Sequence, residues 1–472
     1  MAAGSLTRRK TIEESVAGTD EEGFRLKREL KIFDVIVFGI GVMIGAGIFV
    51  LTGQAAAEEA GPAITVSFVI AGIVAALAAL CYAEFAAMVP VAGSAYTFSY
   101  ASLGELLAFI IGWDLVLEFT IGASAVAVGF GGYLNALLDS AFGITLPDAI
   151  SAPPGEGGVF NVPAVLLILA LLALLVRGVK LTSRANIVLV AITLVVLALV
   201  IGFGASEVDT ANWSPYFPFG FEGVVGGAGL IFFAYIGFDV VATTAEESDN
   251  PQRDMPRGII GSLAIVTGIY FAVALVITGM VPFKELAGEA PIADAFAGKG
   301  LRVISSIIFV GALVATAKTT LGLLLGQSRV GFAMARDRLL PAGLARTHPR
   351  FRTPHRLTLV VGAVVVLLTG FVPLTTLAEL VNIGTLFAFV LVAGGVLYLR
   401  RAEPERERPF RTPLVPFVPI LAIVASLYLM ASLGGGTWLR FLIWMALGLV
   451  VYFLYSRSRS VVARREASEG ST

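Results

Sequence analysis

Phe38-Gly-Ile-Gly-Val-Met-Ile-Gly-Ala-Gly-Ile-Phe49 is the stretch from which the rest of this chain can be read. It lies inside the first long apolar run, yet Gly39, Gly41, Gly45 and Gly47 crowd its middle. Glycine weakens a helix interior and admits backbone angles other residues avoid. At mid-membrane such a cluster can release backbone N–H and C=O groups. Unpaired in hydrocarbon, each costs several kcal/mol, so a break survives only against protein or a wet cavity. A second stretch, Gly229-Leu-Ile-Phe-Phe-Ala-Tyr-Ile-Gly-Phe-Asp239, sets Gly237 in mid-run beside Asp239. Interrupted helices at matching places in two halves of a chain point to inverted repeats with a site at the midplane. Gly45, Gly47 and Gly237 are therefore the expected breaks.

Composition requires the membrane. Of 472 residues, 57% are hydrophobic and only 14% charged, with a mean hydropathy of +0.88; soluble domains carry roughly 25% charged residues. The single cysteine, Cys81, forbids an intramolecular disulfide, and two histidines, His348 and His355, are too few for a metal site. The first apolar run follows a charged segment and is too long for a cleavable signal, so it is expected to remain as a membrane helix.

A spanning helix needs about 20 apolar residues. The expected spans are 34–54, 62–88, 105–135, 161–180, 186–206, 222–245, 258–281, 302–328, 357–373, 376–399, 413–432 and 438–455, twelve in all. An irregular segment is expected near 89–104. Residues 1–23 and 457–472 are polar enough to stay disordered, and Arg25–Lys31 should lie on an anionic cytoplasmic surface. With the amino terminus inside, alternating sides put 28 of the 33 lysines and arginines in inner segments and 4 in outer ones, with Lys318 inside a span. That asymmetry supports the orientation, the even helix count and two cytoplasmic termini.

The broken spans suggest a chemistry. N–H groups opening a half-helix, at Ala46 and Gly47, can hold a carboxylate. Free carbonyls at Met43, Phe233 and Ile236 can accept from an ammonium. Together they fit the part that all α-amino acids share.

At these residues the chain resembles the amino acid–polyamine–organocation superfamily, and most of all the bacterial relatives of the cationic amino acid transporters. The matching stretches are Gly41–Phe49, Ala60–Ile64, Tyr82–Phe85 with Pro90–Tyr96, Gly112–Leu115, Phe233–Asp239 through Glu246-Glu247, Asn250-Pro251, Pro256–Gly258, and Arg329 through Ala333–Asp337. The resemblance implies an all-α integral membrane fold of twelve helices, a five-plus-five inverted repeat with discontinuous helices 1 and 6 and two C-terminal helices. It divides the chain into a cytoplasmic segment 1–33, repeats 34–206 and 222–399, helices in 413–455 and a tail 456–472. It implies amino acid transport across the cytoplasmic membrane by alternating access. Ala46 and Gly47 would hold the carboxylate, the carbonyls of Met43, Phe233 and Ile236 the amino group, and Phe233 would be an aromatic gate. Proton-coupled relatives carry a lysine in the fifth helix; here the aligned position is Thr193.

Ionisable groups within spans are functional candidates by default. Lys318 lies mid-way along the eighth span, where related sodium carriers bind an ion against helix 1. Its ammonium could take that ion's place, or stand as a fixed structural charge. Asp114 and Glu118, four residues apart, share a helix face; Glu118 is the expected counter-charge of Lys318 or a proton relay. Asp239 is expected to cap the second half of the broken sixth span, or less readily to carry a proton. Glu84 is expected to be structural. The loops 246–257 and 329–356 could pair as an inner gate or remain solvated.

No cofactor is expected; proton coupling is open and sodium less favoured. The expected partners are a small-molecule amino acid and the bilayer, with no nucleic acid. No catalytic constellation, phosphate-binding loop or channel filter is written in the chain, so an enzyme or a channel is disfavoured. A polyamine or organic-cation carrier, or an exchanger, of the same fold is the alternative.

Overall fold

The computed structural model describes Arg8 and residues 30–469, apart from 90, 92, 179–182 and 352. Among these residues there is no β-strand, only an isolated bridge between Leu30 and Ser248. The principal helices are α1 (Ile32–Met43), α2 (Ile64–Met88), α3 (Glu105–Phe142), α4 (Val162–Val176), α5 (Ser183–Ser206), α6 (Gly220–Ile231), α7 (Pro251–Met280), α8 (Arg302–Arg336), α9 (His355–Phe371), α10 (Leu374–Ala402), α11 (Phe417–Ser432) and α12 (Gly435–Val451). Eight helical segments among the described residues are long and apolar enough to cross a membrane, and α1, α4, α9 and α11 are shorter apolar helices. Large apolar side chains such as Leu166, Val195, Leu359 and Leu442 lie on the outer surface. In water that exposure would be unfavourable; against lipid tails it costs nothing.

Two broken segments lie within the bundle. Around them α3 packs on α8 and α10, α2 on α7, and α1 on α7. Small residues permit the close approaches: a β-carbon on Gly322 would sit 3.0 Å from Val42 Cγ2. After the first break the chain runs on as helical turns through Ala60, then turns at Gly61, whose φ of +62° suits glycine, and enters α2.

Several expectations are corrected. α7 starts at Pro251 rather than 258, so most of the supposed loop 246–257 is helical. Proline at the first helical position gives up only an N–H that would be unpaired anyway. α8 runs to Arg336 rather than 328, which shortens the basic loop. The segment 89–104 contains a helix, Ala95–Ser102. The carboxy-terminal tail is helical at Arg457–Arg459 and Val461–Glu469. It is held down by its serines: Ser456 Oγ donates to the Leu339 carbonyl and Ser460 Oγ to Glu105 Oε2, both at 2.6 Å. The amino-terminal segment before Leu30, Arg8 excepted, lies outside the described residues, as do Pro90, Lys180 and 470–472.

Candidate functional site: two broken helices and the void between them

α1 ends at Met43, and Ile44 turns extended, with φ −79° and ψ 97°. A wide helical turn, Gly47–Leu51, then begins. The N–H groups of Ala46 and Gly47 do not bond back to α1, as expected where a helix opens. The second break follows α6. A tight turn, Phe232–Tyr235, leads to extended Ile236 and to Gly237 at φ +117°, after which a short helix, Phe238–Ala242, begins.

Glycine lets the two breaks touch. A β-carbon on Gly47 would collide with Ala234 Cα, and one on Gly237 would lie 2.7 Å from Val42 Cγ1. Neither helix could break and meet the other with a larger residue at these points. Met43, Gly45, Ala46, Gly47, Phe233 and Ile236 all line one small void of about 10 Å³, together with Val42, Gly122, Val126, Thr319 and Leu323. That volume holds about one water; an amino acid enters only if the walls part.

Side chains outside the breaks take up some of the released backbone groups. Tyr270 Oη, on α7, donates to the carbonyls of Met43 at 2.8 Å and Ala234 at 3.0 Å. Met43, expected to face an ammonium, is thus already engaged. Thr319 Oγ1 lies 2.9 Å from the Ile44 carbonyl and 3.2 Å from that of Gly41. The Phe233 carbonyl accepts from Ile236 N at 3.2 Å. Asn382, on α10, donates to the carbonyls of Gly229 and Leu230. Tyr270 and Asn382 were missed in the sequence, since no local pattern marks a hydroxyl or amide that bonds across the bundle.

A second, larger cavity of about 810 Å³ opens below the breaks. Asp34, Asn186, Glu247, Lys318, Arg329 and Arg336 are among its lining residues. Lys318 is only 7% exposed and its Nζ has no hydrogen-bond partner among the described residues. A β-carbon on Gly41 would be 3.3 Å from that Nζ and 3.5 Å from Asn186 Oδ1. The fifth helix thus faces Gly41 with Asn186 and Val190. Thr193, the aligned position, is buried and spends its hydroxyl on the Leu189 carbonyl, 3.0 Å away. Arg329 pairs with Glu247 and reaches Thr243 at 3.3 Å, so the two expected gate segments do meet.

Glu118 is not the counter-charge of Lys318. It is fully buried and interacts electrostatically with Asp114 and Asp239, as does the buried Tyr82 hydroxyl with all three carboxylates, though no hydrogen bond joins them. Asp239 sits in the first turn of Phe238–Ala242 rather than at its cap, and no side-chain cap bond forms. Its carboxylate lies near its own N–H and those of Gly237 and Val240 without reaching hydrogen-bond geometry. Glu84, by contrast, is fully engaged: Arg400 holds both its oxygens at 2.9 and 2.8 Å, Arg408 Nε lies 3.2 Å away, and Thr412 N donates at 2.7 Å.

The family model described as amino acid permease matches residues 30–462, which include both breaks and every group named above. The chain belongs to the amino acid permease family. Its relatives include the methylthioribose transporter of Bacillus subtilis (strain 168), 47% identical over 97% of this chain and 99% of that protein. The branched-chain amino acid permease BcaP of the same organism is also 47% identical, with the same coverage. The vacuolar cationic amino acid transporter 4 of Arabidopsis thaliana is 33% identical over 97% of this chain and 96% of that relative. This permease is therefore a multi-pass membrane transporter of amino acids and not an enzyme.

Proposed function

We propose that this permease is a secondary carrier for neutral, apolar α-amino acids that works by alternating access. The observation that carries the reading is the lining of the small void. It combines unpaired N–H groups at a helix start with apolar side chains, and none of its lining residues is charged. Ala46 and Gly47 would take the carboxylate. The carbonyls of Phe233 and Ile236, with the spare lone pair of Met43, would take the ammonium. The substrate side chain would then lie among Gly122, Val126 and Leu323, and Phe233 would close over it. A cationic side chain would find no partner there and would lose its hydration. The branched-chain permease among the relatives supports this preference.

In this reading α1 joined to Gly47–Ala60, and α6 joined to Phe238–Ala242, are the two discontinuous spans of a five-plus-five repeat, with α11 and α12 outside it. The large cavity is the inward-facing vestibule, and both termini lie in the cytoplasm of a cell whose membrane the chain crosses. Lys318, orphaned against Gly41, takes the place of a coupling ion. Glu118 and Asp239 handle a proton deeper in, sodium is not required, and Thr193 has no coupling role.

The test is uptake of labelled leucine into proteoliposomes, with competitors. Neutral branched amino acids should compete strongly. Arginine, spermidine and methylthioribose, a sugar thioether with neither carboxylate nor ammonium, should compete weakly. No uptake of leucine, or leucine uptake blocked by methylthioribose or by a polyamine as strongly as by a branched-chain amino acid, would overturn the reading.

A further inference from the structure

A third cavity lies away from the substrate path, at the loop-side start of α7. Its volume is about 600 Å³, and Asn250, Arg253, Arg257, Ile260, Gly261 and Phe410 are among the residues that line it. Arg253 and Arg257 are four residues apart on one helix face. Both are exposed, and neither has an ion-pair or side-chain hydrogen-bond partner among the described residues. Neither Asp249 nor Asp254 lines the cavity. The start of a 30-residue helix adds its own positive end at the same place.

Pro256, Ile260, Gly261, Pro409 and Phe410 make up the apolar part of this cavity's lining. Beyond Gly261 the same face carries Ala264, Ile265, Gly268 and Phe271, all exposed. Among the described residues, nothing outside the helix's own backbone lies within 4 Å of where a Gly268 side chain would begin. Going up this face from the loop, two free guanidinium groups are followed by a narrow apolar strip with small residues in it. That order matches a phospholipid, with its phosphate first and an acyl chain after. Zwitterionic lipid would leave one positive charge of its own facing the arginines; anionic lipid would not.

We propose that this groove holds an anionic phospholipid, with its headgroup phosphate between Arg253 and Arg257 and one acyl chain along Gly261, Ala264 and Gly268. The site is independent of the substrate reading: it shares no residue with either cavity of the transport path. Phe410, from the segment between α10 and α11, also lines the groove, so the lipid would join α7 to that segment.

The experiment is a titration of the purified full chain with phosphatidylglycerol, read by native mass spectrometry as lipid bound per protein. Phosphatidylcholine and inorganic phosphate are titrated in parallel. Each arginine near a charged lipid surface contributes about fivefold in affinity, so R253Q/R257Q should weaken phosphatidylglycerol binding about 30-fold. R253K/R257K, which keeps both charges, should retain most of it. R346Q/R356Q, an equal charge change at exposed arginines elsewhere, should leave it unchanged. An undiminished affinity in R253Q/R257Q, or an equal loss in R346Q/R356Q, overturns the proposal. So does displacement of the lipid by inorganic phosphate alone, which would make the site one for a free anion. A rise in lipid affinity on replacing Glu13, Glu14, Asp20, Glu21 and Glu22 together with glutamine or asparagine would assign the groove to those carboxylates and overturn it as well.

Discussion

Glu84 and Lys318 are both buried ionisable residues within long apolar helices, and the protein treats them in opposite ways. Glu84 is 1% exposed and is met by two arginines and a backbone N–H. Those contacts tie α2 to the end of α10 and to the segment leading to α11. Lys318 is 7% exposed and its ammonium has no hydrogen-bond partner among the described residues. A buried charge whose partners are all present is scaffold. An uncompensated one is costly, and such groups collect where a site must bind or release something. The difference between the two helices is therefore one of supply: α10 and its following segment bring cations to Glu84, while none of the described elements brings an anion to Lys318.

That contrast is open to measurement. Glu84→Gln leaves two arginines without their carboxylate, and breaking a buried pair costs about 3–5 kcal/mol. The expected result is the largest fall in thermal stability of any variant here, with uptake per folded molecule kept. Stability equal to wild type would remove the distinction. Tyr270→Phe strips a donor from the carbonyls of Met43 and Ala234 at once. A buried group left unsatisfied costs about 1–3 kcal/mol, so this variant should lose both stability and leucine affinity, read by thermal shift with and without leucine. Lys318→Met removes an unpaired charge and should leave stability equal or higher. Its effect should appear in transport: net uptake lost or made independent of pH, with exchange retained. Net uptake with an unaltered pH profile would class Lys318 with Glu84.

The smallest expected effect lies outside the spans, in the segment between α7 and α8. Burial and then the neighbouring Glu289 push the Asp294 carboxyl up from 3.8 to about 6. Raised in the folded state, this group binds its proton more tightly there than in the unfolded chain. Its contribution is present below the unfolded value and is lost as pH rises toward 6. Asp294→Asn should flatten the pH dependence of stability between about 4 and 6. The melting temperature, measured across that range, should change by little more than its error elsewhere. An unaltered slope would show the carboxyl to be solvated.

Much of this was legible in the chain as written. Apolar length depends only on local composition, which lipid reads directly, so the helical class and the approximate place of the long helices followed from it. The glycines at 45, 47 and 237 were likewise visible, because glycine marks backbone whatever surrounds it. Helix ends were less legible: Pro251 and Pro256 looked like loop and proved to be the first turns of α7. The serines that pin the carboxy-terminal helix carry no signal of their own.

Partnership was legible for the loop segments that meet through Arg329 and Glu247, and not for the charges inside the spans. Glu118 and Lys318 are two charges at similar depth in their spans, and pairing them was reasonable until the packing set Glu118 among Asp114, Asp239 and Tyr82. Tyr270 and Thr319 became part of the site only because α7 and α8 pass the broken α1 at hydrogen-bond distance. The sequence by itself determined which residues could break a helix and which solvent each helix needed, because those are properties of single residues and short windows. Which broken backbone groups find a donor, and which charge is left alone, only the tertiary structure decided. Such contacts join residues hundreds of positions apart, and no local pattern encodes a distance.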